Sequence, residues 1–181
     1  MIKKMRGFTL IELLIVVAII GILAALLIPN AMMAIQKAKQ KGTMKDINTI
    51  STAIMDYITD KGYAPVGFVQ QGWTSTTANI ISPFYLKAMP MNDQWAHQFS
   101  ISTGSVANDF GIDTTDFGVD DFVVGSSGRD ANFANPDYDE TNPGAGFYQI
   151  NVMADFNKDM ACWNGQWVIG PRAGVGTGTG S

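Results

Sequence analysis

Between Phe8 and Ile28 the chain runs for 21 residues with Glu12 as the only charged side chain. At about 1.5 Å of rise per helical residue, such a run spans a bilayer hydrocarbon core of roughly 30 Å. The leading expectation is therefore a transmembrane helix. Glu12 is the anomaly within it. An ionised acid at bilayer depth costs about 2.5–3.5 kcal/mol on insertion scales, which marks it as a functional-site candidate whose partner has to be found. The alternative role is local: a carboxylate near a helix N-terminus favours the helix dipole.

A secretory signal peptide is the competing reading, because Lys3, Lys4 and Arg6 form a basic leader. Two features weigh against it. The apolar run is longer than an ordinary signal core, and Ile28-Pro29-Asn30 with a lysine-rich stretch follows where a small-residue cleavage pattern would stand. Flanking charge does not orient the helix, since Lys37, Lys39, Lys41 and Lys45 balance the basic leader.

The 181 residues leave room for one ordinary domain beside the anchor. From Ala88 to Ser181 there are twelve acids against Arg129, Lys158 and Arg172. That balance argues against nucleic acid as a partner, which needs a basic footprint, and is compatible with hard cations. Cys162 is the single cysteine, so neither an intramolecular disulfide nor a cysteine-based zinc site is available.

Beyond Pro29 the pattern becomes amphipathic. Ile47, Ile50, Ile54 and Ile58 recur at spacings of three and four, while Lys45, Asp46, Asn48, Thr49 and Asp56 take other faces. One helix from Thr9 to Asp60 is expected, with Gly62 as a left-handed cap and Gly21 and Pro29 as points of local melting. The rest is rich in Gly, Asn, Asp, Ser and Thr, with β-prone runs at Gln98–Ile101, Asp121–Val124, Phe147–Ile150 and Gln166–Ile169. The expected fold class is α+β: a long N-terminal helix whose second half, 30–61, packs on a small antiparallel sheet within a head of residues 62–173. Thr103-Gly104-Ser105 reads as a turn, Asp109–Asp121 as an irregular connection, and 174–181 as a flexible tail.

Gly7-Phe8-Thr9-Leu10-Ile11-Glu12, behind a short basic leader and ahead of the apolar run, resembles the prepilin signature of type IV pilins and type II secretion pseudopilins. The resemblance covers the chain to about Asn30 and is specific in combination. It implies a leader, 1–7, removed by a prepilin peptidase between Gly7 and Phe8, and N-methylation of the new amine of Phe8. The run 8–29 then stays in the mature subunit as membrane anchor and later as filament core. It also implies an inner-membrane protein with its N-terminus on the cytoplasmic side, later part of a periplasmic or cell-surface filament. The partners implied are further copies of the chain, an assembly platform with its motor, and minor pilins or pseudopilins. In such a filament Glu12 of one subunit meets the α-ammonium of Phe8 on a neighbour, a registry use of a buried ion pair. Gly7 lets a peptidase approach the scissile backbone closely.

The head is similar in motif order to the major pseudopilin of type II secretion: Gly62-Tyr63-Ala64-Pro65, Asp93-Gln94-Trp95 with Phe99, Asp121 to Gly128, then Asp159-Met160 before Asn164-Gly165. Two positions depart from that pattern, Ala96 where glycine is usual after the tryptophan and Ser127 where an acid is expected. The similarity suggests a structural calcium ion, Ca2+, joining the segment after Gly128 to that near Asp159. Asp130, Asp155, Asn157 and Asp159 are the candidate ligands, with Asp137 and Asp139 behind them. Asp155-Phe156-Asn157-Lys158-Asp159 places oxygens at alternate positions, yet Met160 stands where an EF-hand needs glycine and no glutamate follows at the twelfth position. A solvated acidic loop is the alternative.

No catalytic constellation is legible around His97, Ser100, Ser102 or Cys162, and no phosphate-binding loop is present. Trp73, Trp95, Trp163 and Trp167 read as packing residues, as do Met32, Met33, Met44 and Met55. The expectation is a structural filament subunit, not an enzyme. A major pseudopilin of type II secretion comes first, a major pilin of a surface pilus second, and a membrane-anchored periplasmic binding module that never polymerises third.

Overall fold

The computed structural model describes residues 7–65, 75–104, 112, 118–133, 138, 139 and 141–172. The leader charges, Trp73, Ser105, Asp137, most of the 109–121 connection and the 174–181 tail lie outside them. The chain forms two compact units, Met1–Lys37 and Ala38–Ser181.

Helix α1 runs from Leu10 to Lys61. Its end follows from Gly62, which takes φ +78° and donates its N–H to the Ile58 carbonyl at 2.7 Å, the left-handed cap that the sequence anticipates. Local melting at Gly21 and Pro29 is not observed: α1 is unbroken through both. Pro29 deletes one backbone bond of the ladder, and the Ala, Leu and Met residues around it are strong helix formers that hold the remainder.

In the first unit the apolar side chains of α1 have no partner within the described residues. Leu10 is 82% exposed and Leu26 70%. In the second unit Ile47, Ile50 and Ile54 are fully buried and Ile58 packs against them, as their spacing requires. Each such isoleucine contributes about 1.5–3 kcal/mol through burial.

These isoleucines meet one face of a five-stranded sheet in the order β1-β2-β4-β5-β3. The strands are β1 (Ser100–Thr103), β2 (Phe122–Ser126), β3 (Phe147–Tyr148), β4 (Met160–Trp163) and β5 (Gln166–Pro171). Ile101, Phe122, Val124, Met160 and Cys162 join the helix core, together with Ala78 and Ile81 of the short helix α2 (Ser75–Ile81). Val123, Ala161 and Ile169 point the other way into a second cluster with Ile112 and Tyr148. The alternation is the period of two of a pleated strand with both faces covered.

The sheet is mixed where an antiparallel one is expected, because β3 pairs parallel to β5. The reason is local. Asn164 and Gly165, at φ +47° and +79°, close a two-residue hairpin that places β5 directly beside β4. β3 takes the far edge of β5, and the chain between β3 and β4 crosses over. Strand β4 is absent from the expected set, since Met-Ala-Cys-Trp shows no polar alternation: three of its four residues are buried.

Candidate functional site

Thr9 and Glu12 form a capping box at the start of α1. The Thr9 N–H and hydroxyl both donate to Glu12 Oε2, at 2.9 and 2.7 Å, and the Glu12 N–H reaches back toward Thr9 Oγ1 at 3.4 Å. This satisfies donors that every helix N-terminus leaves open. Both strong contacts use Oε2, so the cap leaves the second carboxylate oxygen unused. Phe8, one residue before the cap, is 77% exposed. Gly7 has open space around it, with no atom within 4 Å of where a Cβ would stand. Cleavage after Gly7 would create an α-amine one residue ahead of the cap that holds Glu12. The helix that follows is long and apolar enough to cross a membrane, with a mean hydropathy of 3.1 over its most apolar window.

The four candidate calcium ligands occupy two neighbouring 3₁₀ turns, Gly128–Asp130 and Met153–Asn157, and the residue just ahead of β4. Three of the four already have protein partners on their oxygens. Asp155 Oδ2 accepts the N–H groups of Asn151 and Val152 at 2.8 and 2.9 Å, and its Oδ1 pairs with Lys158 Nζ at 3.1 Å. Those two N–H groups, with Lys158 behind them, hold the Asp155 carboxyl below its ordinary range. Asn157 Oδ1 accepts from Arg129 Nε at 2.9 Å, and Asp130 Oδ1 accepts the Asn132 N–H at 3.1 Å. Asp159 is 3% exposed, and Asp139 is turned into a loop with Thr141. Among the described residues no group of three or more His, Cys, Asp or Glu side chains is disposed to hold a metal ion.

A second constellation is not singled out by sequence reasoning. Asp93, nearly buried, accepts the N–H groups of Trp95 and His97 on Oδ1 and the Ser126 hydroxyl on Oδ2 at 2.7 Å. Ser126 Oγ in turn accepts the Gly128 N–H, and His97 Nδ1 lies 2.9 Å from the Gly128 carbonyl. His97 thus ties the 92–98 turn to Gly128, where the sequence alone leaves it without a role. Asp93 and Ser126 stand 33 residues apart, so no spacing along the chain announces the pair. On the helix side, Gln94 reaches Thr43 Oγ1 and Asp46 Oδ2 at 3.2 and 2.9 Å, lying over Gly42, where a Cβ would stand 2.8 Å from Gln94 Cγ.

Trp95 and Trp167 pack on the helix core, and Trp163 on the second cluster beside Tyr138. Burial pushes the Cys162 thiol up, which keeps it protonated and unreactive.

The family model for the prokaryotic N-terminal methylation motif matches residues 2–28. The chain is 32% identical to type II secretion system core protein G of Pseudomonas aeruginosa over 144 residues, covering 75% of this chain and 97% of the relative. It is 31% identical to the protein of the same name from Vibrio cholerae, covering 71% and 87%. It is 33% identical to the type IV wide pilus major component PilA4 of Thermus thermophilus over 162 residues, covering 88% and 98%. No solved structure gives a significant match. A methylation motif with an exposed apolar helix, and likeness to these proteins over most of the chain, carry one conclusion: the chain belongs to the family of type IV pilins and type II secretion pseudopilins.

Proposed function

We propose that this chain is the major pseudopilin of a type II secretion system, a structural subunit without catalytic activity. In this reading a prepilin peptidase removes residues 1–7 and methylates the amine of Phe8. Residues 8–29 anchor the subunit in the inner membrane with the N-terminus cytoplasmic, 30–61 carry the head, 62–173, and 174–181 trail from it. A platform and motor then stack the subunits, with minor pseudopilins among them. The observation that carries the reading is the apolar surface of α1, exposed in the single chain and bearing one carboxylate. Lipid covers that surface first, and the helices of other copies cover it after extraction, so membrane anchor becomes filament core.

Glu12 sets the register. Its capping box fixes the carboxylate at the helix start and leaves one oxygen unused by the cap, where a neighbour's Phe8 α-ammonium neutralises it. Pairing offsets the cost of burying each ion separately, and subunits meeting head to tail in a rotation that does not close build a filament. Glu12→Ala removes the pair and leaves insertion and processing intact. The expected outcome is a processed, membrane-held subunit with filament yield reduced at least about tenfold, the effect of roughly 1.4 kcal/mol on an equilibrium. Wild-type yield from that variant would sink the registry role.

A second reading, the major subunit of a surface pilus, draws support from the Thermus thermophilus relative, which covers more of this chain than the two protein G relatives do. Intact-mass and N-terminal analysis of sheared fibres, with images of the same fraction, separates the readings. N-methylated Phe8 in long extracellular fibres means a pilus, and a processed chain confined to the envelope means a pseudopilus. A chain still starting at Met1 returns the anchored, non-polymerising binding module.

A further inference from the structure

We infer that the exposed basic stripe of α1 around Lys41 and Lys45 is a docking strip for the acidic head of a second copy of this chain, a contact that rests on the filament reading and specifies which surfaces meet in it.

Helical spacing sets the stripe. Lys41, Met44, Lys45, Asn48, Thr49 and Thr52 recur at steps of one, three and four, and together they line an open cavity of about 400 Å³ beside the face that Ile47, Ile50 and Ile54 bury. Lys41, Lys45, Asn48 and Thr52 are exposed, while Met44 packs partly against the core and gives the cavity an adaptable apolar wall. The Thr49 and Thr52 hydroxyls donate back to the Lys45 and Asn48 carbonyls at 2.9 and 2.8 Å. Those hydroxyls are engaged by the helix itself, so the two ammoniums and the Asn48 amide are the donors left for a partner.

Charge names the occupant. Lys41 and Lys45 stand one helical turn apart, where like charges repel, and among the described residues neither forms an ion pair. Neighbouring Asp46 holds the Gln94 amide at 2.9 Å, and Asp56, one turn beyond Thr52, is the first acid further along the stripe. In the filament reading these lysines follow the anchor on the non-cytoplasmic side, against the usual bias of Lys and Arg toward the cytoplasm, so membrane orientation does not account for them. Lys61 and Lys87 are exposed as well, but neither lines the cavity.

The complement is on the head, whose twelve acids from Ala88 onward face three basic residues. Arg129 is engaged by Asn157, Lys158 by Asp155, and Arg172 lies over the Phe147 ring. Asp120, Asp130 and Asp139 are exposed and, among the described residues, have no lysine or arginine partner. A neighbouring head that turns these carboxylates to Lys41 and Lys45 relieves the repulsion on both surfaces, and complementary charge of this kind fixes partner and register.

The test uses the full-length chain in the cells that make it. Assembled filaments are treated with a carbodiimide, which joins a lysine amine to a carboxylate in contact with it, and the linked peptides are read by mass spectrometry. The same chain dispersed in detergent controls for links within one subunit. Links from Lys41 or Lys45 to Asp120, Asp130 or Asp139, present in the assembly and lost on dispersal, are expected. Lys41→Glu with Lys45→Glu should cut assembly at least about tenfold, since like charges then face one another, and Lys41→Arg with Lys45→Arg should assemble as wild type. Assembled wild type whose lysines link to another envelope protein, link within one subunit or do not link overturns the strip alone. Wild-type yield from the glutamate variant does the same. A wild-type chain that is processed and never assembles overturns the filament reading, and the strip with it. Should the glutamate variant fail to fold, as its melting temperature in detergent would show, Lys41→Gln with Lys45→Gln and the wild-type links decide by the same outcomes.

Discussion

At the scale of single residues, two backbone positions show how local conformation decides what a substitution does. Ala96 sits at φ +70°, a left-handed conformation costing an L-residue about 1–2 kcal/mol. The side chain is exposed, so nothing compensates by packing. Ala96→Gly relieves that strain against a smaller gain of unfolded-state entropy, and its melting temperature should rise by about 1–4 °C. Gly128→Ala is the opposite case, because φ +67° is combined with backbone oxygens closer than any real Cβ approaches. That variant should lose about 2 kcal/mol or more in denaturant unfolding, and near-neutrality would mean that the two turns are not in contact. The departure at position 96 is legible in the sequence, but its sign is not, since only the observed φ says that glycine is preferred there.

Among the elements, the Met153–Asn157 turn is the one whose stability should depend on acidity. The N–H groups of Val152 and Asn151, then Lys158, hold the Asp155 carboxyl below its ordinary value. A group depressed in the folded state adds stability that is fully present above its unfolded pKa and is lost as pH falls through the folded one. The loss therefore begins near pH 4, the ordinary aspartate range, and continues below it. Asp139, depressed by Thr141, titrates in the same window, so wild type alone is ambiguous. Asp155→Asn should melt below wild type at pH 7, with the gap closing as pH drops under about 4. A gap that stays constant with pH would remove the electrostatic contribution. The elements themselves divide in how far the sequence announces them. Helix α1 and the isoleucine stripe are written in a period of three and four, and β2 and β5 in β-branched runs. Strand β4 is silent because a strand buried on both faces carries no alternation, although Asn164-Gly165 after it is a hairpin signal in its own right.

For the whole molecule, both buried clusters draw every member from Ile47 onward. Among the described residues none before Lys37 belongs to them, and the compact-unit boundary falls at that residue. A chain beginning at Ala38 is therefore expected to be soluble without detergent and to melt in one cooperative step, whereas aggregation or a non-cooperative melt would show that residues 8–37 are needed for the head to fold. The apolar run, its single carboxylate and the Gly7-Phe8 junction are determined by the sequence itself, because covalent order fixes where a protease cuts and how far a helix of given length reaches. The helix cap depends equally on neighbours in sequence, since Thr9 and Glu12 are three residues apart. What only the tertiary structure decides is the company kept by distant residues: the parallel β3–β5 edge, the Asp93–Ser126–Gly128–His97 chain, and the cations that occupy the oxygens of Asp155 and Asn157. Those oxygens look the same in sequence whether a metal or an arginine holds them, because ligation depends on distance in space, which a spacing along the chain does not specify.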